Sequence, residues 1–347
     1  MSSVRPITAV FVALGAALLT NQALAQDATA LNVGPRRDVV FTDYTPLSGS
    51  AELVRRMLSP LAALEVQRAL TRSGKALTEQ SVDLSKERFT LYVPAQAPPH
   101  GYGLLAFVSP DQDAPLPPGW AAVLDRYGVI FVSAARSGND EDVLGRREPL
   151  ALLAAENVMR RYTVDPERVY VGGFSGGSRI AMRLALGYPD LFRGALLNAG
   201  SDPIGDGPPA PPPRELFEQF QASTRLVYFT GEHDPIRLQM DAVSLQSMRA
   251  WCVFGVHAQV DNWVLHEQAN AAALSRALDA LLKPARADPD RLATCRSGVE
   301  AELAAKLRQV ESLIAAGRRD EARELLFKLD GHFGGLAAPR SVELLAR

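Results

Sequence analysis

The sequence predicts an α/β fold, a mainly parallel sheet with helices on both faces. Three observations carry this. From residue 87 to 283, apolar, β-branched or aromatic runs of strand length alternate with runs of helical periodicity. The central runs VYV, ALL and LVYF are apolar at successive positions, as strands covered on both faces should be. A serine flanked by glycines, in GGFSGG, falls where one such run gives way to a helical one.

The elements follow in order. Residues 1–25 have one cation, Arg5, an apolar run from Ile7 to Leu19 and the triplet Ala23-Leu24-Ala25. That is a secretory signal with its cleavage site, and the run is too short for a membrane span. Residues 26–80 read as a mostly helical extension, with two short helices broken at Pro60 and the second ending at Gly74. The sheet unit is placed at 81–285. Its strands are predicted at 87–94, 102–110, 128–135, 168–174, 194–201, 224–234 and 260–267. Its helices are predicted at 120–128, 147–165, 175–189, 244–255 and 271–282. A Pro-rich segment at 203–217 interrupts the alternation and reads either as a rim over the site or as an extended surface connection. Residues 290–347 are purely helical. Leu303, Leu307, Val310 and Ile314 share a face, and the pattern repeats after Gly317. This is a small helical hairpin resembling one tetratricopeptide unit. One unit makes no solenoid, so it packs on the sheet unit or serves as a handle for a protein partner.

Composition excludes some functions. The 347 residues carry a formal net charge of −2 and no long Lys/Arg run, so a nucleic-acid partner is not expected. The chain shows no HExxH, CxxC or Walker-type loop, and neither metal nor cofactor is called for. Export to a periplasmic or extracellular space lets Cys252 and Cys295 pair as a disulfide. No membrane association is expected once the signal is removed.

Gly173-Phe174-Ser175-Gly176-Gly177 is a G-x-S-x-G motif between a predicted strand and a predicted helix. In that setting the serine sits on a turn too tight for a Cβ two positions before or after it. The helix behind it offers unpaired N–H groups to a developing oxyanion. A serine of this kind needs a base, and chain order on such a sheet is serine, acid, histidine. Of five histidines, His100 precedes Ser175 and His332 lies in the tail. His257 lies at the wrong end of its strand, and His233 neighbours the candidate acid. His266 follows the last strand and is the candidate base. Asp234, three residues past Gly231, is the candidate acid, with Glu232 as the alternative. Phe174, Trp120 and Trp263 are candidates for lining an apolar substrate pocket. Arg136 and Asn139, after the strand ending near Ala135, are placed to meet a polar group or to be plain loop residues.

The run DPERVYVGGFSGGSRIAMRLALGYPDLFRGALLNAGS, residues 165–201, resembles the nucleophile region of the α/β-hydrolase superfamily. It is most similar to secreted esterases of the polyhydroxybutyrate-depolymerase and feruloyl-esterase type. The resemblance implies Ser175 as nucleophile, Asp234 as acid, His266 as base and the Gly176 N–H as one oxyanion donor. It departs at the second donor. Where those families carry His-Gly, this chain has Ser109-Pro110, and Pro110 has no N–H. The amide of Asp111 or Gln112 is left for that role.

The reading is therefore an exported serine hydrolase acting on small or polymeric carboxylic esters through an acyl-enzyme. A serine peptidase on the same fold shares the chemistry. A non-catalytic binding protein using the same scaffold and its helical tail is the alternative from another class.

Overall fold

A computed structural model describes residues 33–205, 207–283 and 287–347. The predicted signal segment at 1–25 lies outside the described residues, as do residue 206 of the Pro-rich segment and residues 284–286 near the predicted end of the sheet unit.

Eight strands form one sheet. They are β1 (Gly34–Val39), β2 (Phe89–Val93), β3 (Tyr102–Val108), β4 (Val129–Ala134), β5 (Val164–Phe174), β6 (Gly194–Asn198), β7 (Arg225–Gly231) and β8 (Val256–Asp261). Their order is β1-β2-β4-β3-β5-β6-β7-β8. Pairing from β4 to β8 is parallel, whereas β2 runs antiparallel to both β1 and β4. This is the α/β-hydrolase architecture.

The continuous apolar strands feed two cores in alternation. Leu104, Ala106 and Val108 of β3, Val171 of β5 and Tyr228 of β7 enter one cluster. Leu105, Phe107, Tyr170, Val227 and Phe229 enter the other. The first face is covered by α1 (Ser50–Met57), α4 (Glu148–Arg161), α5 (Gly176–Gly187), α6 (Arg214–Ser223) and the end of α7 (Pro235–Ala250). The second face is covered by α3 (Trp120–Tyr127) and α8 (Ala271–Leu282). No described helix is long and apolar enough to cross a membrane.

Several elements differ from expectation. The extension holds a strand, β1, which closes one sheet edge beside β2. GPRRDV is too polar to announce itself because only Val39 of that strand is buried. The predicted helices on either side of Pro60 form, α2 being Pro60–Ser73 with Gly74 in the left-handed region at its end. The Pro-rich segment ends in a helix, α6, whose Phe217 and Phe220 are core residues. The helix after β7 starts at Pro235, not 244, because Asp234 caps it and Pro235 takes its first turn. The last strand ends at Asp261. Residues 262–267 instead form a loop across the end of β7, with His233 N donating to Val264 O at 2.9 Å.

The tail contains three helices, α9 (Pro289–Ala315), α10 (Arg319–Phe333) and α11 (Arg340–Leu345). It joins the main core through Leu303, Leu329 and Phe333. A smaller cluster unites Leu61 of α2 with Val310, Leu326 and Leu344, so the helix that opens at Pro60 packs on the tail. The Pro-rich segment is the seat for this tail. Gly335 N donates to Pro211 O at 2.8 Å, and a Cβ on Gly334 would lie 2.2 Å from Pro211 O.

Cys252 and Cys295 form a disulfide across 43 residues, tying α9 to the turn after α7. By loop entropy such a link stabilises by up to about 4 kcal/mol. Cys252→Ser with Cys295→Ser is therefore expected to lower unfolding free energy by about 2–4 kcal/mol. Urea denaturation followed by circular dichroism checks this, and a midpoint unchanged from wild type contradicts it.

Candidate active site

The sheet register brings the candidate residues together. Val108 pairs with Gly173, Phe174 with Asn198, Asn198 with Phe229, and Gly231 with Asp261. The carboxyl ends of β3, β5, β6, β7 and β8 thus form one rim, where parallel sheets bind ligands. Ser175, Asp234 and His266 all follow strands on that rim.

Ser175 has φ 54° and ψ −118°, a backbone conformation costly for a residue with a Cβ. The surroundings impose it. A Cβ on Gly173 would lie 2.2 Å from the Gly177 carbonyl, and one on Gly177 would lie 1.9 Å from Val108 O. Helix α5 can sit this close to β5 and to the end of β3 only if both positions are glycine. Ser175 N donates to Asn198 O at 2.8 Å, locking the turn to β6. Gly176 opens α5, where the first amides have no partner inside the helix.

His266 links the other two residues. Its Nε2 is 3.0 Å from Ser175 Oγ, and its Nδ1 is 2.5 Å from Asp234 Oδ2. Asp234 is 8% exposed, whereas the His266 side chain is 40% exposed and reachable by water. Asp234 Oδ1 also accepts from Arg237 N at 3.3 Å, so the carboxylate is held by the first turn of α7. The Phe174 ring lies against His266 with centroids 4.9 Å apart and limits its rotation.

Other candidates lie elsewhere. Glu232 is exposed, and its carboxylate accepts from Trp263 N at 3.2 Å, shaping the loop rather than meeting His266. His257 begins β8 at the opposite end of the sheet, and His332 packs on Trp251 in the tail. Trp120 is corrected to a core residue. Its side chain is 0% exposed, stacked edge-on against Phe107 and Phe131, and so it cannot meet a substrate. Its Nε1 donates to Ala269 O at 2.7 Å, which steadies the loop after His266. Trp263 is 83% exposed on the rim beside His233. Arg136 turns away, towards Glu87 at 3.2 Å. Asn139 lies over α5, its carboxamide against Gly176. The Asp111 amide donates to Ser109 Oγ at 3.1 Å.

Two positioning residues escaped the sequence reading. Asn198 is fully buried at the end of β6. Its Oδ1 accepts from Ala269 N at 2.7 Å and its Nδ2 donates to Phe229 O at 3.2 Å. It thereby ties the His266 loop to the sheet. A polar residue ending the apolar run GALLN was the available signal. Asp241 accepts from Ser201 N at 3.0 Å and from Thr230 Oγ1 at 2.5 Å, joining the ends of β6 and β7. Burial raises its carboxyl to about 6, the hydrogen bonds opposing the rise.

No protein-family model matches the chain. It is 31% identical over 98 residues to a poly(3-hydroxybutyrate) depolymerase from Ralstonia pickettii, covering 24% of this chain and 20% of that protein. It is 30% identical over 104 residues to poly(3-hydroxyalkanoate) depolymerase C from Paucimonas lemoignei, covering 26% and 23%. The chain thus spans about a fifth of the length of these curated relatives. Among solved structures, an S-formylglutathione hydrolase from Staphylococcus aureus matches with TM-score 0.45 and 11% identity, covering 57% of this chain and 93% of that one. By its strand order and its serine turn the chain has the α/β-hydrolase fold, and it resembles the polyester depolymerases over part of that fold.

Proposed function

We propose that the protein is an exported serine hydrolase that cleaves carboxylic esters through Ser175, His266 and Asp234. The observation that carries this is the unbroken line from Asp234 through His266 to Ser175 on a strained turn. A strained backbone and a pre-aligned base have no role in a merely structural serine.

In the proposed reaction His266 Nε2 takes the Ser175 proton as Oγ attacks the ester carbonyl. Asp234 holds Nδ1–H and stabilises the imidazolium. The Gly176 N–H binds the oxyanion. The imidazolium then protonates the departing alkoxide, leaving an acyl-Ser175. Water, deprotonated by His266, attacks the acyl group and frees the acid. The rim beside the triad is apolar and open, with Ile236 68%, Trp263 83% and Leu265 58% exposed. That surface suits a hydrophobic or polymeric ester, and the depolymerase relatives point the same way. The disulfide and the A-x-A segment support an oxidising destination outside the cytoplasm.

The test is a panel of p-nitrophenyl esters of rising acyl length, matched anilides, and a fluorophosphonate probe. We expect covalent labelling and turnover of esters well above anilides. Anilide turnover equal to ester turnover would favour a peptidase. Neither labelling nor turnover would sink the enzymatic reading and leave a binding protein.

A further inference from the structure

We propose that the carboxamide of Asn139 supplies the second oxyanion donor, in place of the Asp111 main-chain amide, which Ser109 Oγ already engages. This rests on the esterase reading above.

The need comes first. A tetrahedral oxyanion is stabilised by at least two preorganised donors, and the Gly176 N–H is only one. The loop after β3 is poorly equipped to give the other. Pro110 has no N–H. The Asp111 N–H is used by Ser109 Oγ at 3.1 Å. The backbone of Asp111 and Gln112 is pressed on Gly138, where a Cβ would lie 2.9 Å from Asp111 C and 3.1 Å from Gln112 N.

The loop is also held in place. Arg147 is buried and donates to Ser137 O at 2.9 Å and Ser109 O at 3.2 Å. Arg136 N donates to Gln112 O at 2.6 Å. Swinging Asp111 towards Ser175 would break several of these bonds at once.

The same clamp aims Asn139. Its main-chain N donates to Pro110 O at 2.9 Å. Its side chain then lies on Gly176, so closely that a Cβ there would stand 1.9 Å from Oδ1 and 3.0 Å from Nδ2. The carboxamide touches the residue whose amide is the first donor. It makes no side-chain hydrogen bond among the described residues. It is exposed at the mouth of the site, and a half-turn of the carboxamide exchanges its oxygen and nitrogen. An arriving carbonyl oxygen can therefore recruit Nδ2–H. The absence of a side chain on Gly176 makes room for this group.

The experiment compares wild type, Asn139→Ala and Asn139→Leu on p-nitrophenyl acetate, with inhibition by a trifluoromethyl ketone that forms an oxyanion on the serine. We expect kcat to fall about 10²-fold with KM within threefold, because the contact is made only in the transition state. Trifluoromethyl ketone affinity should fall by a similar factor, while the thermal midpoint stays at the wild-type value. Gly176→Ala keeps the first amide but pushes the carboxamide away. It should reproduce the loss and not add to that of Asn139→Ala in the double variant. If both Asn139 variants keep kcat within threefold, the assignment is overturned while the esterase reading stands. If kcat falls but ketone affinity does not, Asn139 is not an oxyanion donor and the assignment is again overturned. A wild type with no ester turnover overturns the esterase reading itself.

Discussion

Ser175→Ala is expected to lower ester turnover by about 10⁶-fold, leaving a residual about 10³-fold above solvent hydrolysis from binding and the oxyanion donors. The alanine variant keeps the glycines that close the turn and keeps a Cβ at the strained position. The local backbone should therefore persist, and with it the thermal midpoint. Only the hydroxyl 3.0 Å from His266 Nε2 is lost. Fluorophosphonate labelling should vanish together with turnover, because both need the same oxygen. Substrate analogues should still bind, since the rim formed by Phe174, Trp263 and Leu265 is untouched. If the variant retains a tenth of wild-type turnover, another group carries the attack and the triad assignment fails. If wild type labels but does not turn over, acylation works and deacylation does not, which places the fault in water access to the acyl-enzyme.

How much of this was legible beforehand depended on which residues face inward. Strands β3 to β7 announced themselves because both faces of their central residues are buried, so runs such as LLAFV, VIFV, VYV, ALL and LVYF are apolar at successive positions. β1 did not, because an edge strand with one buried residue has no pattern to read. The apolar triplet Trp263-Val264-Leu265 misled in the opposite sense. Trp263 and Leu265 are exposed rim residues, and their hydrophobicity reflects a surface open to solvent rather than a strand. The serine turn was legible because its glycines answer to local sterics, which spacing alone records. His266 and Asp234 could be ranked by their positions after strands. Their mutual distances, and those to Ser175, depend on sheet register and on Asn198, and no local pattern encodes these. Trp120 shows the limit of reasoning by residue type. An indole near the end of the sheet serves equally as core or as pocket wall, and only packing against Phe107 and Phe131 decides.

Asp234→Asn is expected to lower kcat by about 10⁴-fold while leaving the fold intact. Two functions of Asp234 separate in this substitution. Its Oδ1 caps α7 through Arg237 N, and asparagine is an equally good N-cap, so stability should hold. Its Oδ2 accepts from His266 Nδ1 at 2.5 Å, and there the amide fails. A carboxylate can only accept, so it fixes the proton on Nδ1 and leaves the Nε2 lone pair facing Ser175. An amide can donate through Nδ2, which favours the other tautomer, with its proton on Nε2 and no base towards the serine. The imidazolium also loses its counter-charge as it forms. Asp234→Ala would remove the cap as well, costing about 1 kcal/mol, and would confuse stability with mechanism. Glu232→Gln is the control, since its carboxylate contacts Trp263 N and not the imidazole. It should keep turnover within threefold. Retention of more than a tenth of activity in Asp234→Asn would contradict the assignment of Asp234 as the acid. Loss of activity in Glu232→Gln would then move that role to Glu232, and full activity in both variants would leave Phe174 as the group that orients His266.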